Sequence, residues 1–372
     1  MDPTMPHVLS AVPSPAPPRH PGLDLLRALA IAMVVGYHSS LFGFTLPGGV
    51  HRFGWIGVDL FFVLSGYLIG GQILAQMQRP EGFRFGRFYA RRALRILPAY
   101  LLVLAVYFLA PSWREEPVIS PAWKFLLSVQ NIHLQVGTAF SHAWSLAVED
   151  QFYLLLPLLL VFLVRRPRWA RALTWGILFA GLCLRAGLAL VFRDPAGQLP
   201  DLQYFYWIYY PTWSRLDPLV LGVALATLEH HQLSSWRRLR EAAPWLWIPA
   251  LGAIAAGLWL DEGNLTPIVC ALSFPLIAVG MATLLTCAES PRLPFCRIHV
   301  PGSAFLARIA YSVYLTHKLV VHAAAGWLKS HGIALNSVGA ILMAYALTLL
   351  VGTALYLAVE RPFLQLRNRI ES

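Results

Sequence analysis

A chain of 372 residues that is 57% hydrophobic and only 13% charged, with a mean hydropathy of +0.58, is too apolar for an ordinary soluble domain. Its formal net charge of +11 would suit a nucleic-acid partner, but the basic residues stand beside apolar runs, so they read as topology signals and no nucleic acid is expected. Cys183, Cys270, Cys287 and Cys296 include no CxxC pair, which points to buried structural thiols and away from a metal site or a disulfide framework.

In chain order, residues 1–22 come first, with PSPAPPRHPG. The prolines favour an extended, solvated tail that stays attached, because the apolar run that follows is long enough to span a membrane and is not a short secretory signal. Apolar runs then recur at 23–42, 55–76, 94–110, 147–164, 172–192, 214–229, 243–260, 266–287, 304–327 and 337–359. Runs of about 20 residues match a bilayer core, whereas a membrane β-barrel would show shorter alternating segments. The expected fold is therefore all-α, a polytopic membrane bundle of about ten transmembrane helices spanning 23–365, with a short basic tail at 366–372.

Charge alternates along the connections. Arg79, Arg84, Arg87, Arg91 and Arg92, then Arg165, Arg166, Arg168 and Arg171, then Arg237, Arg238 and Arg240, then Arg292 and Arg297, then Arg367 and Arg369 share one side; Arg114, Glu115 and Glu116, then Arg193, Asp194 and Asp201, then Asp261 and Glu262 share the other. The positive-inside rule makes the first side cytoplasmic and puts both ends of the chain there. The scheme works only if the moderately apolar stretch near 121–136 is re-entrant or lies on the surface.

Three constellations carry chemistry. Arg27 and His38 lie in the first apolar run, and eleven residues at helical pitch bring both to one face, about 16 Å apart. An ionisable group inside a membrane helix usually faces a bundle interior and marks a site; the bland alternative is an arginine snorkelling to the interface. His38, in the outer half, suits deprotonation of a hydroxyl arriving from outside. In FYARRALRILP, Arg92 and Arg95 sit at the cytoplasmic start of the third run, where they serve topology or present forks that match phosphate oxygens. In HAWSLAVEDQFYLLLPLLL, Glu149 opens a helix and shares a face with Tyr153; it is either a capping acid or an orienting partner for an imidazole such as His38.

Read together, LDLLRALAIAMVVGYH, GVDLFFVLSGYLI, FYARRALRILP, HAWSLAVEDQFYLL, SRLDPLVLG, AYSVYLTHK and VERPF resemble, in this order, the acyltransferase-3 family of integral membrane acyltransferases, which includes O-antigen, nodulation-factor and macrolide acylating enzymes. The resemblance implies transfer of an acyl group, commonly acetyl from acetyl-CoA or another acyl-CoA, to a hydroxyl of a carbohydrate or glycosylated acceptor, with no metal, in a bacterial inner or plasma membrane. It implies that His38 and Glu149 are catalytic and that Arg27, Arg92 and Arg95 bind the donor. Trp144, Ser145 and Tyr153 belong to the same motif as Glu149.

Further motif residues keep two readings. Asp59 lines the site or pairs structurally with an arginine; Arg215 and Asp217 line the acceptor entrance or form a surface ion pair; Tyr314 and His317 match a late motif but also suit a structural role. Glu360 and Arg361 are expected to close the bundle. The aromatic string YFYWIYYPTW reads as an interfacial anchoring belt or as a sugar-stacking surface. Some relatives carry an added esterase-like domain; with VERPF so close to the end of this chain, such processing is expected to need separate cell-envelope enzymes. A transporter using the buried charges as a relay is the competing class.

Overall fold

A computed structural model describes residues 20–45, 47–294 and 297–369; most of the proline-rich tail, Cys296 and the last three residues lie outside them. Among the described residues ten helices of fifteen residues or more follow one another: α1 Pro21–Leu41, α2 Gly57–Met77, α3 Phe85–Leu109, α4 Trp144–Leu163, α5 Pro167–Phe192, α6 Asp217–His231, α7 Leu233–Asp261, α8 Pro267–Ala288, α9 Ser303–Ser330 and α10 Val338–Leu355. A π-helical turn, Tyr356–Glu360, carries α10 on into Arg361–Arg369, so the described part of the basic tail is helical. Proline occupies the first turn of α1, α5, α6 and α8, where its missing N–H costs no helical bond. The described residues hold no strand, only an isolated bridge between Ile119 and Ala139.

Seven helical stretches are long and apolar enough to cross a bilayer: Gly48–Met77, Phe85–Leu109, Ser141–Leu163, Pro167–Phe192, Leu233–Asp261, Pro267–Ala288 and Val338–Arg369. The chain is thus an integral membrane protein with an all-α fold. Length and composition do not establish the expected ten spans, and the three helices left out have physical reasons. At 1.5 Å per residue the 15 residues of α6 reach only about 22 Å of a core about 30 Å thick. Helices α1 and α9 carry Asp24, Arg27 and His38, and Arg308, His317, Lys318, His322 and Lys329.

Ion pairs and hydrogen bonds join the loops in the two sets that charge alternation predicts. At one end His20 meets Glu289 (3.6 Å) and Arg240 Nε donates to the Glu289 carbonyl (2.6 Å). At the other end Arg52 meets Glu262 (3.1 Å) and the Tyr204 hydroxyl donates to Asp261 (2.9 Å). Below, the first is called the basic end and the second the far end.

Helices α2 and α6 approach through small residues. Gly66 and Gly70 of α2 face Gly222 and Ala226 of α6, and a Cβ on Gly66 or Gly222 would run into the Leu219 or Val63 carbonyl of its neighbour. Such small-xxx-small faces let membrane helices pack backbone to backbone. Cys270 and Cys287 are buried as expected, but Cys183 is exposed, because its face of α5 is directed away from the bundle.

Between α3 and α4 the chain forms a short helix, Ala122–Leu126, followed by turns, not a span. Its irregular backbone is tied to α4: Gln151 Nε2 donates to the Ser128 carbonyl (2.7 Å) and Asn131 Oδ1 (2.9 Å), and Ser128 Oγ donates to Asp150 (2.9 Å). Non-helical backbone at membrane depth is tolerated where protein groups satisfy it in this way. Ser128, His133 and Phe140 have φ of 52°, 56° and 57°, left-handed values that cost energy outside glycine.

Candidate active site

A cavity of about 170 Å³ opens among α1, α2, α3, α4 and α9. Arg27, Arg92, Arg95 and Arg308 line it, together with Gln72, Ser65, Glu149, Asp150, Tyr153, Ser145 and Tyr314. The arginines come from three separate helices, α1, α3 and α9. Arg27 is bonded to Asp24 (3.0 Å) and feels the repulsion of Arg95. The guanidinium of Arg92 lies 3.9 Å from the Tyr153 ring centre, and its buried Nε has no partner among the described residues. Several cations held together, one with an unused buried donor, fit an anion such as a phosphate group.

Glu149 belongs to this cavity. It accepts from Ser65 Oγ (2.8 Å) and from the Tyr153 hydroxyl (3.1 Å). The expectation that it orients His38 is corrected: no hydrogen bond or ion pair among the described residues joins the two, because α4 turns this side chain toward α2.

His38 has other company. Its Nδ1 is 3.0 Å from the Val34 carbonyl and 3.1 Å from His317 Nε2, while His317 Nδ1 is 2.7 Å from the Tyr314 carbonyl. A third ring, His142, lies 4.8 Å from His317 and 6.0 Å from His38 between centres. It is buried, its nitrogens have no hydrogen-bond partner among the described residues by strict geometry, and the Leu315 backbone passes nearby. The cavity and the histidines meet at Tyr314, whose carbonyl faces His317. The Tyr314 hydroxyl donates to the His142 carbonyl (2.7 Å), so the 2.5 Å bond to Ser145 takes its proton from the serine.

Beside the cluster, Lys318 Nζ pairs with Glu115 (3.0 Å) and donates to Ser141 Oγ (3.1 Å). Glu115 also accepts from the Tyr107 hydroxyl (3.3 Å) and the Phe140 N–H (3.0 Å). This clasp fixes the turn from which His142 and Ser145 project.

Four expected site residues lie elsewhere. Arg215 does not pair with Asp217 at the surface; it donates twice to Asp59 (2.9 and 3.0 Å), with neither side chain exposed at all. Asp217 pairs with Arg185 (2.6 Å), which also donates to the Ser214 carbonyl (2.8 Å). Trp144 packs on Phe62, Tyr209 and Tyr210. None of Asp59, Arg215, Asp217 and Trp144 lines this cavity, and the three charged ones are held in buried ion pairs, as buried charges must be. The aromatic string is only partly buried, with Trp213 exposed. Tyr204 and Tyr210 are buried, and the Arg215 guanidinium lies 3.8 Å from the Phe274 ring centre and 5.2 Å from that of Tyr209.

Sequence reasoning missed Arg308, Gln72, Ser65, Lys318 and Arg185, and gave His142 no role beyond its place in the HAWSLAVEDQFYLL motif. A lone arginine within the apolar TWGILFAGLCLRAGLALVF and consecutive His317 and Lys318 inside a helix were the available signals.

The O-acetyltransferase OatA of Staphylococcus aureus is 32% identical over 224 residues, which are 56% of this chain and 35% of OatA. The peptidoglycan O-acetyltransferase OatA of Listeria monocytogenes is 33% identical over 227 residues, 55% of this chain and 33% of that protein. The chain thus spans about a third of the length of these curated relatives. No solved structure matches it. The family defined by an acyltransferase domain matches residues 20–357, which include the cavity and the histidine cluster, and the chain belongs to that family.

Proposed function

We propose that residues 23–365 form a membrane-embedded O-acyltransferase that moves an acyl group, acetyl, from acyl-CoA to a carbohydrate hydroxyl. The observation that carries this reading is the junction at Tyr314 and Ser145, where an arginine-lined cavity adjoins a buried histidine cluster. Arg27, Arg92, Arg95 and Arg308 hold the donor phosphates, and the thioester arm runs along the cavity toward Tyr314. His38 takes the proton of the acceptor hydroxyl as its oxygen attacks the thioester carbonyl. The new C–O bond forms, the C–S bond breaks, and the departing thiolate receives the proton back from His38.

The basic end and both tails, 1–22 and 366–372, face the cytoplasm of a bacterial inner or plasma membrane, which puts the donor phosphates on the side where acyl-CoA is made. The acceptor enters from the far end. The relatives' names support acetyl as the group and, from the Listeria protein, a cell-wall glycan as the acceptor class.

Purified protein in nanodiscs, given labelled acetyl-CoA and a panel of glycan acceptors, tests the reading. Arg92→Ala and Arg95→Ala should each weaken donor binding about tenfold or more, the value of one charge-assisted contact. His38→Ala should keep donor binding and lose roughly 10²- to 10⁴-fold in turnover. If the wild-type protein neither transfers nor hydrolyses across the panel, the reading fails.

A further inference from the structure

The hydrogen bonds around His38 determine which nitrogen is free to act. A backbone carbonyl only accepts, so His317 Nδ1, 2.7 Å from the Tyr314 carbonyl, carries the proton of that ring. The neutral His317 ring then has its lone pair on Nε2, which points at His38 Nδ1 at 3.1 Å. His38 Nδ1 is in turn 3.0 Å from the Val34 carbonyl. Facing two acceptors, it must be a donor. A neutral His38 ring holds one N–H, so its Nε2 is left unprotonated and basic.

We propose that His317 is the positioning residue of His38, filling with a second imidazole the place that motif reading gave to Glu149. The inference rests on the proposed acyltransferase chemistry with His38 as base. The Val34 carbonyl alone would favour the same tautomer, but it already accepts the backbone N–H of α1, and it cannot share charge. His317 can. When His38 takes the substrate proton on Nε2 it becomes a cation, and its Nδ1–H bond to His317 Nε2 becomes charge-assisted, which shortens and strengthens it. The third group of a nucleophile–base–orienter set does the same work.

The surroundings suit an imidazole better than a carboxylate here. His317 is fully buried, and its neighbour Lys318 is already neutralised by Glu115. A second acid would carry an unpaired buried charge, which is costly, whereas an imidazole is neutral at rest and accepts charge only during turnover.

Three substitutions separate positioning from packing. His317→Gln places an amide oxygen near the old Nε2 and still accepts from His38. His317→Asn reaches only as far as the old Nδ1 and does not, and His317→Leu offers no acceptor. The Gln variant should keep turnover within about tenfold, while the Asn and Leu variants fall on the order of 10²-fold with donor affinity unchanged. ¹⁵N NMR of histidine-labelled wild-type protein, with His38 assigned by its loss in His38→Ala, should show a ring protonated at Nδ1. Equal turnover in the Gln and Asn variants, at any level, or a wild-type His38 protonated at Nε2, overturns the inference. If His38→Ala itself transfers at the wild-type rate, it is the proposed chemistry that has failed, so the two failures are distinguishable.

Discussion

Asp59→Asn should destabilise the protein without touching donor binding. The substitution keeps side-chain volume and one acceptor oxygen but removes the charge that neutralises Arg215, whose side chain is fully buried and bonded to both Asp59 oxygens. Breaking a buried pair by removing one partner costs about 3–5 kcal/mol, because the other charge stays behind in low dielectric. The remaining amide oxygen and the rings around the guanidinium, with Phe274 at 3.8 Å, soften this toward the lower figure. A loss of about 3 kcal/mol lowers the melting temperature by roughly 5 °C in a chain of this size. Replacing both partners, with Asp59→Leu and Arg215→Met, should recover most of the loss, since a well-packed apolar pair of similar volume is often neutral. Thermal unfolding in detergent together with acyl-CoA titration measures both quantities. An Asp59→Asn protein that melts like the wild type but loses transfer or donor affinity would refute the structural assignment and return Asp59 to the site.

Single cysteines at positions 52 and 262 should label from outside the cell and those at 166 and 292 only once the cytoplasm is opened, in a background lacking the exposed Cys183; outside labelling at 166 would mean that the stretch near 121–136 crosses the membrane. Lys318→Met should strand the Glu115 carboxylate, which is 1% exposed, cost about 3 kcal/mol and speed proteolysis between 128 and 136, with Lys318→Met plus Glu115→Gln reversing both effects. Glu149→Gln should weaken donor binding a few-fold while leaving the pH of half-maximal turnover where it is in the wild type, as read from a pH–rate profile.

Helix placement was legible because each helix coincides with most of one apolar run. The boundaries were not always legible: α3 begins at Phe85 rather than near 94, and α7 at Leu233 rather than near 243. Arg87, Arg91 and Arg92, and then Arg237, Arg238 and Arg240, extend these helices into polar surroundings where hydropathy gives no signal. Arg27 and His38 were legible from helical period and from the cost of burying them. Their partners were not, since Ser145 and Tyr314 are 169 residues apart and His38 and His317 are 279 apart. The same limit explains Asp59, Arg215 and Asp217: that each would be paired followed from charge in an apolar environment, but the choice of partner, including the unnoticed Arg185, is a product of packing.

Glu149 shows how a correct motif residue acquires the wrong neighbour. Its position one turn before Tyr153 was read correctly, and that pair is formed at 3.1 Å. The error lay in extrapolating depth: two residues at similar heights on different helices need not face each other. The carboxylate lies on the cavity wall with Ser65, while Tyr153 carries the Arg92 guanidinium on its ring. Glu149, Tyr153 and Arg92 therefore form a stack that aims a cation into the donor cavity, and a neutral glutamine can accept from Ser65 through its amide oxygen and donate its amide N–H to the Tyr153 hydroxyl while losing the attraction to Arg92. This is why Glu149→Gln should act on donor affinity and less severely than Arg92→Ala. His38 keeps Val34 and His317 in that variant, so the protonation that controls turnover is unaltered. A pH–rate profile displaced by Glu149→Gln, with donor affinity unchanged, would reverse the assignment and make the carboxylate the orienting partner of His38.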